Sequence, residues 1–162
     1  MRMLKLFLIS VVVLFLILTA FSSLLPSRVR ISRAMDIADS SKIVRQKLQD
    51  LKAWVQWNEY IIALPQKTST HDNISSKELS VSLIDTSEEL IKTKWKQQNG
   101  KTFPGFFRLI NHGSVTTVQW YFEFTIKWYP WEKFGSIIYD KQLGPPMEKS
   151  LNNLKRLIEK EP

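Results

Sequence analysis

Five side chains have the types that acid–base chemistry would use: His71, Asp85, His112, Glu123 and Asp140. A general acid or base must sit within hydrogen-bond reach of the proton it moves. No two of the five are spaced so that one helical turn or one strand face would bring them together. Glu123 falls on the wet side of an alternating run, His112 adjoins the turn residue Gly113, and His71 lies in the polar stretch PQKTSTHDNISSK. Cysteine is absent from all 162 residues. That excludes a thiol nucleophile, a disulfide frame, a thiolate metal site and an acylated N-terminal cysteine. Two histidines are too few for a multi-histidine metal centre. The sequence therefore assigns no catalytic residue, no metal and no cofactor.

The other chemistry on offer is apolar binding. Trp95, Phe107, Trp120, Phe122 and Phe124 share the dry faces of successive alternating segments. Met147, Leu151 and Leu154 share one face of a C-terminal helical stripe. Apolar walls with few polar groups are what small-molecule sites are made of. These eight residues are the expected lining of a cavity between sheet and helix, and they describe a solid core equally well.

The elements that would position them follow from hydrophobic periodicity. RVRISRAM (28–35) alternates as a first strand, with Val29, Ile31 and Arg33 on one face. Asp39-Ser40-Ser41 supplies capping residues for a short amphipathic helix through Ile43, Val44, Leu48 and Leu51. LKAWVQW (51–57) reads as a second short helix or turn. Residues 65–77 read as a polar loop. Strands are expected over 79–85, 90–96 and 102–111. Asn99-Gly100 and His112-Gly113 mark tight turns, because these residues accept positive φ. The longest alternation, 115–128, predicts a half-buried antiparallel strand with Val118, Trp120, Phe122, Phe124, Ile126 and Trp128 on its dry face. Trp131, Phe134 and Ile138 recur at helical spacing between this strand and the last helix. After Gly144-Pro145-Pro146, Met147, Leu151, Leu154, Leu157 and Ile158 form one helical stripe. The fold class is α+β: an antiparallel sheet with one dry face, covered by a long C-terminal helix.

The first 27 residues are different in kind. Residues 6–25, LFLISVVVLFLILTAFSSLL, hold no charge in twenty positions. A helix of that length reaches ~30 Å, the thickness of a bilayer's hydrocarbon core. Residues 1–27 are read as a single-pass membrane anchor whose partner is the lipid bilayer, and 28–162 as one domain. A cleaved signal peptide is the competing reading, since Ala20-Phe21-Ser22 is a small-x-small site behind Arg2 and Lys5. The apolar run continues past that site, which favours the anchor. The order of charge, apolar run and domain puts the domain outside the cytoplasm, although Arg28, Arg30 and Arg33 nearly balance the N-terminal charges. The whole chain carries +8. With Arg2 and Lys5 set aside, 21 basic and 15 acidic residues leave +6, scattered over strand faces and helix backs. No nucleic-acid-binding motif accompanies that charge, so a nucleic-acid partner is not expected. The cation-and-aromatic run KWYPWEK (127–133) suits anionic lipid headgroups, or a solvated rim of the core.

Three segments resemble the START-like or SRPBCC superfamily, the polyketide cyclase and lipid-transport group. VRISRAMDI (29–37) looks like its opening strand. Leu48, Asp50, Leu51, Trp54, Trp57 and Asn58 look like the end of its two small helices, and LGPPMEKSLNNL (143–154) like the start of its long grip helix. The likeness spans about 28–160 and contains no catalytic motif. It implies a helix-grip sheet wrapped around the C-terminal helix, with a cavity for a hydrophobic small molecule or lipid. Family activities range from lipid transfer to cyclisation, so a cyclase-like enzyme in the same cavity and a solid partner-binding domain stay open. Bacterial members with an N-terminal membrane helix are familiar, which fits a bacterial cell membrane. The polar stretch 65–77 replaces a longer strand pair, and implies a small sheet edge or a reduced cavity.

Overall fold

The computed structural model describes residues 2–24 and 26–160. Met1, Leu25 (the last residue of the apolar run), Glu161 and Pro162 lie outside the described residues. Helix α1 (Arg2–Ser23) is long and apolar enough to cross a membrane, and its most apolar window is not buried against the rest of the chain. Pro26 follows it, and strand β1 (Arg28–Ile37) begins two residues later. Helix α2 (Ser41–Gln49) buries Val44 and Leu48. A 3₁₀ turn (Leu51–Gln56) buries Leu51 and Trp54, and its first turn is capped by Asp50, whose carboxylate accepts from Lys52 N–H at 3.1 Å. Helix α3 (Glu59–Ile62) starts at Asn58, whose side-chain oxygen accepts from Tyr60 N–H at 3.1 Å.

Six more strands follow: β2 (Thr68–Ser69), β3 (Asn73–Ser75), β4 (Leu79–Thr86), β5 (Leu90–Gln97), β6 (Thr102–Asn111) and β7 (Thr116–Thr125). Helices α4 (Pro130–Ser136) and α5 (Tyr139–Lys160) end the chain. The seven strands form one antiparallel sheet in the order β1-β7-β6-β5-β4-β3-β2. β1 pairs with β7 over ten residues, Arg28 opposite Thr125 through Ile37 opposite Thr116. Every β4–β7 connection is a hairpin, so β1 closes the sheet by the one long-range pairing.

The dry face carries Val81, Ile91, Trp95, Phe107, Val118, Trp120 and Phe122, all buried. Helix α5 lays Met147, Leu151, Leu154 and Ile158 against it. Trp54 and Trp57 fill the space between, in ring contact with Phe107 at 5.4 and 6.2 Å.

Four expectations change. The stretch 65–77 is not a plain loop: it folds β2 and β3 onto the sheet edge, and Ser69 Oγ donates to Leu51 O at 3.1 Å. The long strand stops at Thr125 rather than Trp128. Its partner β1 begins only at Arg28, after Pro26, so nothing remains to pair with 126–128, and Ile126 N–H instead donates to Ser27 O at 2.8 Å. Helix α5 starts at Tyr139, so Pro145 and Pro146 lie inside it rather than at its first turn. Neither proline can donate to the carbonyl four residues back. Those carbonyls belong to Lys141 and Gln142, both exposed, where water can bond them. Finally, Tyr121 on the wet side of β7 is buried. Phe106 stacks on it at 4.8 Å, and the Arg30 guanidinium lies 4.6 Å from its ring.

Candidate functional site

Where the 3₁₀ turn hands over to α3, the chain steps away from the sheet and leaves an opening of about 620 Å³. Its walls are Tyr60, Ala63 and Leu64 from the α3 segment, Leu79, Trp95, Phe103 and Phe122 from β4–β7, and Leu143, Pro145 and Pro146 from α5. The volume suits a small organic molecule. Polar side chains stand at its margin: Glu59, Glu78, Gln97 and Lys149.

Hydrogen bonds fix each wall. Thr93, fully buried on β5, donates to Gly105 O at 3.0 Å and accepts from Trp95 Nε1 at 3.0 Å. That relay holds the Trp95 indole, which meets Phe122 edge-on at 5.1 Å and stacks on Phe103 at 6.3 Å. Gly105 makes the arrangement sterically feasible. A methyl there would lie 2.7 Å from Trp95 Nε1, 2.8 Å from Thr93 Oγ1 and 2.9 Å from Phe122 Cε1.

Helix α3 is tied to α5. Glu59 N–H donates to Ser150 Oγ at 2.9 Å, and Ser150 donates to Pro146 O at 2.7 Å. The Glu59 carboxylate pairs with Lys149 Nζ at 2.9 Å and accepts from Asn153 Nδ2 at 2.8 Å. The Lys149 hydrogen bond holds the Glu59 carboxyl below its ordinary pKa, against a smaller opposing effect of burial. Tyr60 donates its hydroxyl to Leu143 O at 2.7 Å, in the proline-containing turn of α5. Burial pushes the Tyr60 phenol strongly up, with Arg33 opposing. Tyr60 is thus a neutral donor already committed to the backbone.

Of the eight residues expected to line a cavity, the structure brings Trp95 and Phe122 to this opening. Phe124 lines a second, more polar depression of about 500 Å³ that shares Gln97, Phe103 and Leu143 with the first. Phe107, Trp120, Met147, Leu151 and Leu154 are fully buried in the core. Sequence reasoning missed Tyr60, Ala63, Leu64, Leu143 and the two prolines. The signal for α3 was present as Asn58, a capping residue two before Tyr60.

The acid–base candidates lie elsewhere. Asp85 and His112 are exposed, His71 pairs with Asp50 at 3.2 Å on the surface, and Asp140 pairs with Arg33 at 3.0 Å. Glu123 accepts from Arg30 Nε at 3.0 Å and borders only the second depression. Among the described residues, no group of three or more His, Asp or Glu is placed to hold a metal ion.

No protein-family model matches this sequence, and no curated protein matches it. Solved structures do match. A START superfamily protein from Mycobacterium smegmatis superposes with a TM-score of 0.57 at 16% identity, over 81% of this chain and 97% of that one. The fold is the START-like helix grip. Norcoclaurine synthase from Thalictrum flavum, solved in complex with dopamine and hydroxybenzaldehyde, gives a TM-score of 0.61 at 10% identity over 83% of this chain and 88% of that one. DynU16, from the dynemicin biosynthetic locus, gives 0.58 at 11% identity over 80% of this chain, which spans 47% of the DynU16 chain. Identities this low establish the helix grip alone. In this helix grip, α5 packs directly on β1, while Trp54 and Trp57 fill the space between α5 and the middle of the dry face. The apolar opening lies where α3 and the prolines of α5 face each other, and the second depression adjoins it where Tyr139, Gln142 and Leu143 face β6 and β7.

Proposed function

We propose that this chain is a membrane-anchored helix-grip domain that binds an apolar small molecule or lipid in the opening beneath α3. The observation that carries the reading is the opening itself: about 620 Å³, walled by Tyr60, Leu79, Trp95, Phe103, Phe122 and Leu143, with polar groups only at its margin. Such a lining gains from apolar contact and offers a ligand's polar end the Glu59, Lys149 and Gln97 side chains. Three features support binding over chemistry: Tyr60 is bonded to Leu143 O, Glu59 is bonded to Lys149, and no residue expected to do acid–base work borders the opening. Norcoclaurine synthase, with the same fold, is solved with dopamine and hydroxybenzaldehyde, which supports a small organic ligand here. Helix α1 would hold the domain on a bacterial cell membrane, and the charge order of the N-terminus supports the extracytoplasmic side.

Native mass spectrometry of the full chain extracted in mild detergent tests the reading. A mass increment from a bound apolar compound is expected for the wild type. It should be lost in Ala63→Trp, which puts an indole into the opening from an exposed position. An increment that persists unchanged in Ala63→Trp, or no uptake of any apolar compound offered in excess, overturns it.

A further inference from the structure

Large exposed hydrophobic side chains outside α1 are not scattered evenly. Among the described residues, apart from Leu24 at the end of the apolar run, nine are exposed, and five of them fall between 128 and 138: Trp128 (63%), Trp131 (63%), Phe134, Ile137 (61%) and Ile138. The other four, Ile43, Ile62, Ile84 and Ile110, stand on four different elements. Helix α4 carries the stripe expected from its spacing, but the stripe points outward and the opposite face, Pro130, Lys133 and Ser136, is buried. Tyr129 stiffens the patch, with its ring 4.8 Å from Trp128 and stacked on Trp131 at 4.9 Å.

The position of α4 says what covers this patch. Helix α1 contacts α4, and Ser22, the only buried residue of α1 among those described, lies in the last turn of α1. Just beyond, Ser27 is held twice: its carbonyl by Ile126 N–H at 2.8 Å, and its hydroxyl by Lys133 Nζ at 3.1 Å. A helix whose apolar run ends at residues 24–25 leaves the hydrocarbon there, so α4 stands at the level of the lipid headgroups. Tryptophan and tyrosine favour that level, where the ring body is apolar and the N–H or O–H is wet. The exposed cations Lys127 and Lys141 lie next to the patch in sequence, Arg28 lies opposite Thr125 at the end of β7, and all three can meet anionic headgroups.

We infer that α4 and the Trp128–Trp131 stack form a second membrane contact, an interfacial foot that lies in the headgroup layer beside α1. The inference rests on the reading of α1 as a membrane anchor. The occupant of the patch is lipid, and the consequence is a fixed pose: the domain is held at two points and cannot swing freely on the Pro26-Ser27 joint.

The absence of cysteine allows a direct test without background. The full chain is reconstituted into vesicles of phosphatidylcholine and phosphatidylglycerol as single-cysteine variants Leu14→Cys, Trp131→Cys, Ile137→Cys, Ile84→Cys and Ile110→Cys. Each carries an environment-sensitive fluorophore, and all five positions are exposed, so the label disturbs no core. Nitroxide lipids quench either at the headgroup end or at the chain end. The Trp131 and Ile137 labels should be quenched most by the headgroup-end nitroxide and the Leu14 label by the chain-end one. Ile84 and Ile110 labels should match solvent. If Leu14 is quenched while Trp131 and Ile137 behave like Ile84, the foot is refuted and the anchor stands. If Leu14 itself is not quenched, the anchor reading fails and the foot with it. If Trp131 and Ile137 are shielded from water but not quenched by lipid, the patch meets a second copy of the chain, which also overturns the proposal.

Discussion

Thr93 offers the sharpest test of how the wall of the opening is held. Its hydroxyl makes two buried hydrogen bonds, donating to Gly105 O and accepting from Trp95 Nε1, both at 3.0 Å. Thr93→Val keeps the shape and removes both. A neutral hydrogen bond contributes about 1 kcal/mol net, and a buried N–H left without a partner costs about 1–3 kcal/mol. The added methyl returns about 0.8 kcal/mol of apolar burial. The expected loss is therefore about 2 kcal/mol. Thr93→Ser keeps both bonds and loses one methyl, which costs about 1 kcal/mol with its small cavity. The order matters more than either value: Val should be less stable than Ser, although Val is the more apolar. Guanidinium unfolding followed by tryptophan emission reads this cleanly, because all six tryptophans lie outside α1. Repeating Thr93→Val in a Trp95→Phe background isolates the pair, since the indole N–H is then gone. The cost should fall by about 1 kcal/mol or more, in the range of coupling for residues in contact. Full additivity, or a Val variant as stable as the Ser variant, would refute the relay.

Gly105→Ala should destabilise by about 1–3 kcal/mol through overpacking, because the three atoms it meets within 3 Å belong to fixed wall residues; a change below 0.5 kcal/mol in the same unfolding assay would contradict the crowding. Gly135→Ala, with open space around its Cβ in α4, should instead gain about 0.5–1 kcal/mol. Gly113→Ala also meets nothing within 4 Å but sits at φ +86°, so backbone strain should make it lose about 1 kcal/mol. Glu59→Gln should flatten the acid limb of stability: the folded Glu59 carboxyl is held low, so its contribution is full above the unfolded carboxyl pKa and is lost as pH falls through the folded one. Denaturation midpoints of wild type and variant measured down through the carboxylate range should converge on acidification, and parallel profiles would contradict the pairing with Lys149.

The sheet was readable because its residues obey one period. Leu90–Gln97 alternates cleanly, Thr102–Asn111 carries the same period, Leu79–Leu83 carries it up to the bulge that follows Leu83, and Gly100 and Gly113 sit at the positive φ that their turns require. What alternation could not give was where β7 stops, because that depends on a partner 97 residues away: Arg28, the first residue of β1, stands opposite Thr125, the last residue of β7. The two-residue β2 and three-residue β3 were illegible for a related reason, since β2 pairs with β3 and β3 with the distant edge of β4, while Ser69 is tied by its side chain to the 3₁₀ turn. Pro145 and Pro146 suit a helix start under the rule that favours proline at the first turn, yet they lie inside α5. Tyr139–Gly144 continues the helix before them because its freed carbonyls face water.

The shift of the opening away from the centre of the grip has a cause in two side chains. Between the sheet and α5, the space that an empty grip would leave is occupied by Trp54 and Trp57, both fully buried. Trp54 Nε1 donates to Leu48 O at 2.9 Å, which pins its ring under α2. Trp57 reaches Trp120 at 6.3 Å, and Phe107 stacks on Trp120 at 4.9 Å. This aromatic layer seals Met147, Leu151 and Leu154 from any ligand, so the stripe that covers the sheet serves stability. Only beyond Trp57, where Asn58 turns the chain into α3, does the layer end, and Tyr60 with the proline turn of α5 becomes the wall of a space instead of its filling. The polar depression that adjoins the opening at Gln97, Phe103 and Leu143 runs on to Lys127 and Glu132. Glu132 accepts from Lys127 N–H at 3.1 Å at the start of α4. The depression that adjoins the apolar opening therefore reaches the first turn of α4.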